Sequence, residues 1–315
     1  HTAYAQARAA QPIRLPPKTT PFKVWAERLV AGESAEMTNS EADYWNSVIR
    51  LPIARLPADR TGANVEADAQ RISVALDEEE TGQLLEGAAH ARTSVIELLL
   101  AALARALGAW AGGPAILVDV EHHGRDDLFE DVDVSRTVGW FTTIYPVRID
   151  YQPGEAPIDT IRRVHRQMRN LPRHGIGYGL LRDQQAISGA SAEISFNYYG
   201  RLDRGMSNTP LPVIAADERG PDRDPAASRP YLIEIDGGIV AGRLHLEWTY
   251  SRSLHNDTTI AQVARTFLAE LRAMMHTCRH DSVGAIEAAD VAEFGWNDED
   301  LAAIMAELDR HHRSS

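Results

Sequence analysis

The chain has 315 residues, 44% of them hydrophobic and 24% charged, which is enough for a sizeable core and excludes disorder by composition. Its 32 basic and 45 acidic side chains leave a net charge of −13, excluding a sequence-independent nucleic-acid binder, which needs a basic face to replace counterions. One cysteine, Cys278, excludes an intramolecular disulfide and fits a reducing compartment.

Residues 2–10 read as the end of a helix. Four prolines across Gln11–Pro21 impose an extended segment. Helices are predicted at Phe22–Leu29 and Ser40–Ile49, anchored by Trp25, Leu29, Tyr44, Trp45 and Ile49, and Leu51–Asp68 is a connector marked by Pro52, Pro57 and Gly62. Arg71–Leu76 alternates apolar Ile72, Val74 and Leu76 with Arg71, Ser73 and Ala75, the period of a strand. Thr93 or Ser94 caps the helix that runs to Trp110, with Glu97 at the capping-box position. This most apolar run, Val95–Ala111, contains Glu97 and Arg105 and is shorter than the ~20 apolar residues of a membrane span. No secretory signal is visible at the start, so a cytoplasmic location is expected.

Gly112-Gly113-Pro114 ends that helix and opens an apolar strand, Ala115–Val120, which delivers Glu121, His122, His123, Gly124 and Arg125 in succession. Strand ends that open into glycine turns place reactive groups on a rigid scaffold within reach of solvent. A second strand is predicted at Val138–Ile149, then a helix at Pro157–Asn170 whose Arg162, Arg163, Arg166 and Arg169 form a basic face. Gly175-Ile-Gly177-Tyr-Gly179 follows a helix and carries no Lys-Ser/Thr, so it reads as a turn requiring positive φ and not as a phosphate loop. A strand is expected at Ala192–Tyr199, a long loop at Asp203–Pro230, and a hairpin of Tyr231–Asp236 with Ile239–Ser251 turning at Gly237-Gly238. Helices His255–His276, the setting of a packed Cys278, and Asn297–His311 close the chain. Alternating strands and helices with a long hairpin predict a mixed α/β layer structure.

Glu121-His-His-Gly-Arg125-Asp and Arg136-Thr-Val-Gly-Trp-Phe-Thr142 resemble the Glu-Gly-His-Gly-Arg-Glu and Arg-Thr-Val-Gly-Trp-Phe-Thr motifs of epimerization domains in nonribosomal peptide synthetases. Leu15-Pro-Pro-Lys-Thr-Thr-Pro-Phe-Lys-Val-Trp-Ala26, Gly175–Arg182 and Ile194-Ser-Phe-Asn-Tyr-Tyr-Gly200 match three further family blocks in order. The family pattern has Gly where His122 stands and Glu where Asp126 stands. The resemblance implies an α/β fold of the chloramphenicol-acetyltransferase-like two-layer sandwich, with two lobes around a tunnel. It divides the chain into 1–70, a remnant of the first lobe with its connector; 71–295, the second lobe; and 296–315, a terminal helix and linker. The family's His-His-x-x-x-Asp-Gly motif is expected upstream of His1, so the isolated chain is expected to be an incomplete catalyst.

Inverting Cα of an aminoacyl or peptidyl thioester requires removing a weakly acidic proton, returning one to the other face, and stabilising the enolate oxygen. The resemblance assigns the catalytic carboxylate to Glu121 and a catalytic or orienting phenol to Tyr198, with His123, Arg125 and Asn197 in supporting roles. From the residues alone, Glu121 could equally be a turn carboxylate paired with Arg125, and Tyr198 a packed strand tyrosine. Adjacent strand histidines point to opposite faces, so His122 and His123 are not expected to share a metal. No bound cofactor is expected, because the phosphopantetheine arm comes with the partner, an upstream carrier-protein domain; other synthetase modules are further partners, and neither nucleic acid nor membrane is expected. Two alternatives remain open: a condensation domain that forms peptide bonds, and a catalytically dead docking module.

Overall fold

The structure, a computed structural model, describes residues 2–31, 35–202 and 223–280. Among these, helices α1 (Thr2–Arg8), α2 (Phe22–Ala31) and α3 (Ala35–Ile49) lead into a six-stranded sheet. Its strands are β1 (Ala69–Ala75), β2 (Ala115–His122), β3 (Thr143–Asp150), β4 (Ile194–Arg201), β5 (Ile233–Val240) and β6 (Arg243–Ser251), in spatial order β1-β6-β5-β4-β2-β3. β4 runs parallel to both β2 and β5, and every other pairing is antiparallel. Helices α4 (Glu78–His90), α5 (Val95–Ala111), α6 (Pro157–Arg169), α7 (Ile176–Asp183) and α8 (Asp257–Cys278) complete the mixed α/β architecture. No single described helix is long and apolar enough to cross a membrane.

Ser94 caps α5 by accepting from Glu97 N–H while the Glu97 side chain accepts from Ser94 N–H, and Gly112 ends the helix in the left-handed region at φ 69°. Between those caps every residue of Leu98–Gly108 except Arg105 is buried, because α5 packs against α8, α6 and the sheet. That explains its apolar composition without a membrane. α8 lies on the same sheet face, where Trp248 meets Phe267 edge-on at 5.8 Å. Cys278 is fully buried at the end of α8, and a side chain at Gly87 of α4 would touch it. The expected boundary at residue 70 falls inside β1, and Trp45, Val48, Ile49 and Leu56 join the same core as the sheet.

Several expectations need correction. α4 lies where no element was expected, although Asp77 and Glu80 form the same capping box that marked α5. The second strand begins at Thr143, five residues later than predicted, because Arg125 holds the preceding segment through Val134 O (2.5 Å) and Gly139 O (3.4 Å). The hairpin turns at Ala241-Gly242, where both residues have positive φ as a two-residue type I′ turn demands. Gly237 instead lies inside β5, where a Cβ would sit 2.0 Å from His245 O. In the Gly175–Gly179 segment only Gly175 needs positive φ; Gly177 and Gly179 are helical, and the buried ion pair of Glu41 with Arg173 crosses directly over Gly177. On α6, Arg163 is engaged by Glu155 and Asp150 O, so the basic face is partly neutralised. Residues 203–222 of the expected loop, the expected helix Asn297–His311 and the unit 296–315 lie outside the described residues.

Candidate active site

β2 pairs in parallel with β4, Val120 opposite Phe196, so Val120, Phe196, Ile235 and Trp248 form one fully buried row across the sheet. Alternation turns the next residue of each strand to the opposite face. That face carries Glu121, Asn197, Asp236 and Glu247 in a second row. Asn197 Nδ2 donates to Glu121 Oε2 at 2.7 Å. Asn197 and Asp236 are register partners, as are Asp236 and Glu247.

Three carboxylates in one row, with Glu234 beside them, make this an acidic face. Burial, and then the charges of Asp236 and Glu234, raise the pKa of Glu121 above its ordinary value. Burial likewise raises Asp236, reinforced by Glu234 and Glu247 and opposed by a hydrogen bond from Tyr199. Tyr199 Oη donates to Asp236 Oδ1 at 3.0 Å. Glu121 therefore has a neutral amide as its hydrogen-bond donor, which orients the carboxylate while leaving it basic.

The turn after β2 is shaped by Gly124, at φ 64°, where a Cβ would run into Phe141 O. Arg125 does not pair with Glu121. Its guanidinium stacks over the Phe141 ring at 4.1 Å and donates to Val134 O and Gly139 O, bracing the loop 134–141. That loop closes on the segment around α2. Thr20 N–H donates to Asp133 O (2.7 Å), Thr137 Oγ1 to Thr20 O (2.7 Å), and Arg136 to Pro17 O. Phe22, Trp25 and Phe141 meet in a cluster of rings 4.9–5.5 Å apart, beside a second small core of Trp25, Leu29, Val134, Phe141 and Ile176. Two sequence motifs more than a hundred residues apart are thus one packing unit. Trp140, within the second motif, stands 83% exposed.

Of the residues singled out in sequence, the structure brings Asn197 to Glu121. It holds Arg125 at the loop, and places His123 in the turn, where its Nδ1 accepts from Arg125 N–H at 2.9 Å. Burial, with His122, Arg125 and His174 adding to it, lowers the pKa of His123. Tyr198 is not brought to Glu121: it points with Phe196 to the helix-covered side and packs against the main core, where burial raises its pKa. Tyr199, two residues from Asn197, is a tyrosine on the Glu121 face, and the Glu121 charge contributes to raising its pKa behind burial and Asp236. The strand period from Asn197 could have found it. The separation expected of His122 and His123 also fails: β2 ends at His122, so alternation no longer governs His123, and the two rings lie 4.0 Å apart.

A mixed sheet covered by helices on one face, with a half-buried carboxylate at the end of the penultimate strand on the other, defines an α/β domain with an acidic face. Residues 1–287 match the condensation-domain family model, and the chain belongs to that family of nonribosomal peptide synthetase domains. A linear gramicidin synthase polypeptide of Brevibacillus parabrevis is 37% identical over 305 residues, spanning 93% of this chain and 4% of that synthase. Chondramide synthase of Chondromyces crocatus is 40% identical over 293 residues, 89% of this chain and 7% of that protein. The crystal structure of the epimerization domain from the third module of tyrocidine synthetase B superposes with a TM-score of 0.76 at 32% identity, over 88% of this chain and 64% of that one. The X-domain from teicoplanin biosynthesis, at 19% identity and a TM-score of 0.61, shares the fold. The chain thus spans a small fraction of the synthases and less than two thirds of the solved epimerization domain.

Proposed function

We propose that this domain inverts Cα, from L to D, of an aminoacyl or peptidyl group held as a thioester on the phosphopantetheine arm of a carrier protein. The observation that carries the reading is Glu121: a half-buried carboxylate of raised pKa at a strand end, oriented by the neutral amide of Asn197. A carboxylate in that setting is a stronger base than one in water, suited to a weakly acidic Cα–H. Glu121 takes the proton and becomes the neutral acid, while the electron pair moves onto the thioester oxygen as an enolate. A proton returned to the opposite face completes the inversion with no net change in protons. The resemblance assigns that second transfer to the histidine of the His-His-x-x-x-Asp-Gly motif. The likeness to the tyrocidine epimerization domain supports the same reading.

The matching family model is named for condensation, which favours a second reading in which two carrier-bound substrates are joined by a peptide bond. The two separate cleanly by product. With the domain in its full polypeptide and a loaded carrier protein in deuterated water, epimerization exchanges the Cα proton and yields a D/L mixture without chain elongation. Glu121→Gln keeps the size and the contact with Asn197 but removes the base, so exchange falls by roughly 10²–10⁴-fold. Elongation without exchange would establish condensation instead, and wild-type exchange in Glu121→Gln would remove the carboxylate from the mechanism.

A further inference from the structure

Beside the proton-transfer face, the turn after β2 gathers a second constellation. His122 Nε2 lies 2.9 and 3.1 Å from the two oxygens of Asp126. The ring of His123 lies against that of His122, tilted by 35°. One ligating atom from each of His122, His123 and Asp126 falls within 4.8 Å of the others. We infer that His122, His123 and Asp126 form a binding site for a divalent d-block cation of the zinc, cobalt and nickel class.

The geometry needs little adjustment. A tetrahedral ion with bonds of about 2.0–2.2 Å holds its ligands about 3.3–3.6 Å apart. His122 and Asp126 therefore part by roughly half an ångström, and His123 closes by at most about 1.5 Å. His123 is exposed and sits next to Gly124, whose positive φ marks the tight turn carrying the site. Its Nδ1 already accepts a backbone N–H from Arg125, so a lone pair is present on that nitrogen, and coordination there replaces one neutral hydrogen bond. The side chains of His122 and Asp126 are 27% and 16% exposed, open enough for an ion to enter and close enough to hold it.

The donor set selects the metal. Two imidazoles and one carboxylate suit zinc, cobalt and nickel, whereas magnesium and calcium require mostly oxygen donors. Three protein ligands leave a fourth position for water. His174, whose ring stacks on His122 at 6.3 Å between centroids, is the next imidazole outward. Glu121 and His122 are consecutive in β2, so their side chains leave opposite faces of the strand. The ion would clip the Gly124 turn to the end of β2, and it takes no part in the Cα chemistry.

Cobalt(II) titrated into the metal-free chain tests this directly, because tetrahedral coordination gives an intense visible d–d absorption. The expected result is one equivalent bound with that spectrum, displaced by zinc, together with a rise in melting temperature. His122→Gln and Asp126→Asn should each weaken binding by more than about tenfold, since the loss of even an outer-shell partner costs 10–100-fold. The competing locus is His276 with His280 at the end of α8, rings 5.3 Å apart, so His276→Gln should leave the spectrum unchanged. No tetrahedral spectrum at saturating cobalt would overturn the site. So would a spectrum that survives both His122→Gln and Asp126→Asn, or one lost in His276→Gln alone.

Discussion

Replacing Gly124 by alanine isolates the contribution of the turn that positions Arg125 and His123. The backbone there has φ 64°, and a Cβ would sit 1.8 Å from Phe141 O and 2.7 Å from its carbonyl carbon. The obstacle is main chain and cannot rotate away. Left-handed backbone costs an alanine about 1–2 kcal/mol, and forcing apart packed segments adds about 1–3 kcal/mol. The stiffer unfolded chain returns at most about 1 kcal/mol. The net loss is therefore about 1–5 kcal/mol. Gly154 provides the control, because its φ is 78° and its Cβ position is open, with no heavy atom within 4 Å. Gly154→Ala retains only the conformational cost. In urea titrations at constant m, Gly124→Ala should lie below Gly154→Ala by the about 1–3 kcal/mol of the clash. Equal midpoints for the two variants would refute the claim that the turn is wedged against the Val138–Thr142 loop.

Glu121→Gln should be more stable than the wild type at neutral pH. With its folded pKa raised, Glu121 favours the folded state when protonated, and that contribution is lost as pH climbs from the unfolded value through the folded one. The gain in the variant should therefore shrink on acidification below the unfolded pKa, as thermal melts across pH would record. Tyr199→Phe removes the hydrogen bond that holds Asp236 down, so the Asp236 pKa should rise and the acidic limb of the exchange profile should move, whereas Tyr198→Phe should leave that profile in place. A pH profile that moves in the Tyr198 variant alone would reverse this assignment. Ser94→Ala removes one half of the α5 capping box and should cost about 0.5–2 kcal/mol by chemical denaturation.

What could be read along the chain was what neighbouring residues decide among themselves. Ser94 with Glu97, Gly112 after α5, and the apolar run ending at Glu121 each act over a few residues, and each stands where their order implies. The same rule would have found α4 through Asp77 and Glu80. The family blocks were legible as well, as ordered words. Their meaning as one packing unit was not, because Thr20, Phe22 and Trp25 reach Asp133, Thr137 and Phe141 only once the chain has closed on itself.

Sequence by itself thus determined the α/β class, the carboxylate at the strand end and the family motifs, since local propensity, periodicity and residue order carry that information. Tertiary structure alone decided which residues face Glu121. Cross-strand register sets Asn197 and Asp236 beside it and turns Tyr198 away, and no single strand encodes its neighbours' register. Close backbone approach moved the hairpin turn from Gly237-Gly238 to Ala241-Gly242, since Gly237 is required where His245 O crosses it. The end of β2 brought His122 against His123, because strand alternation stops where the ladder stops.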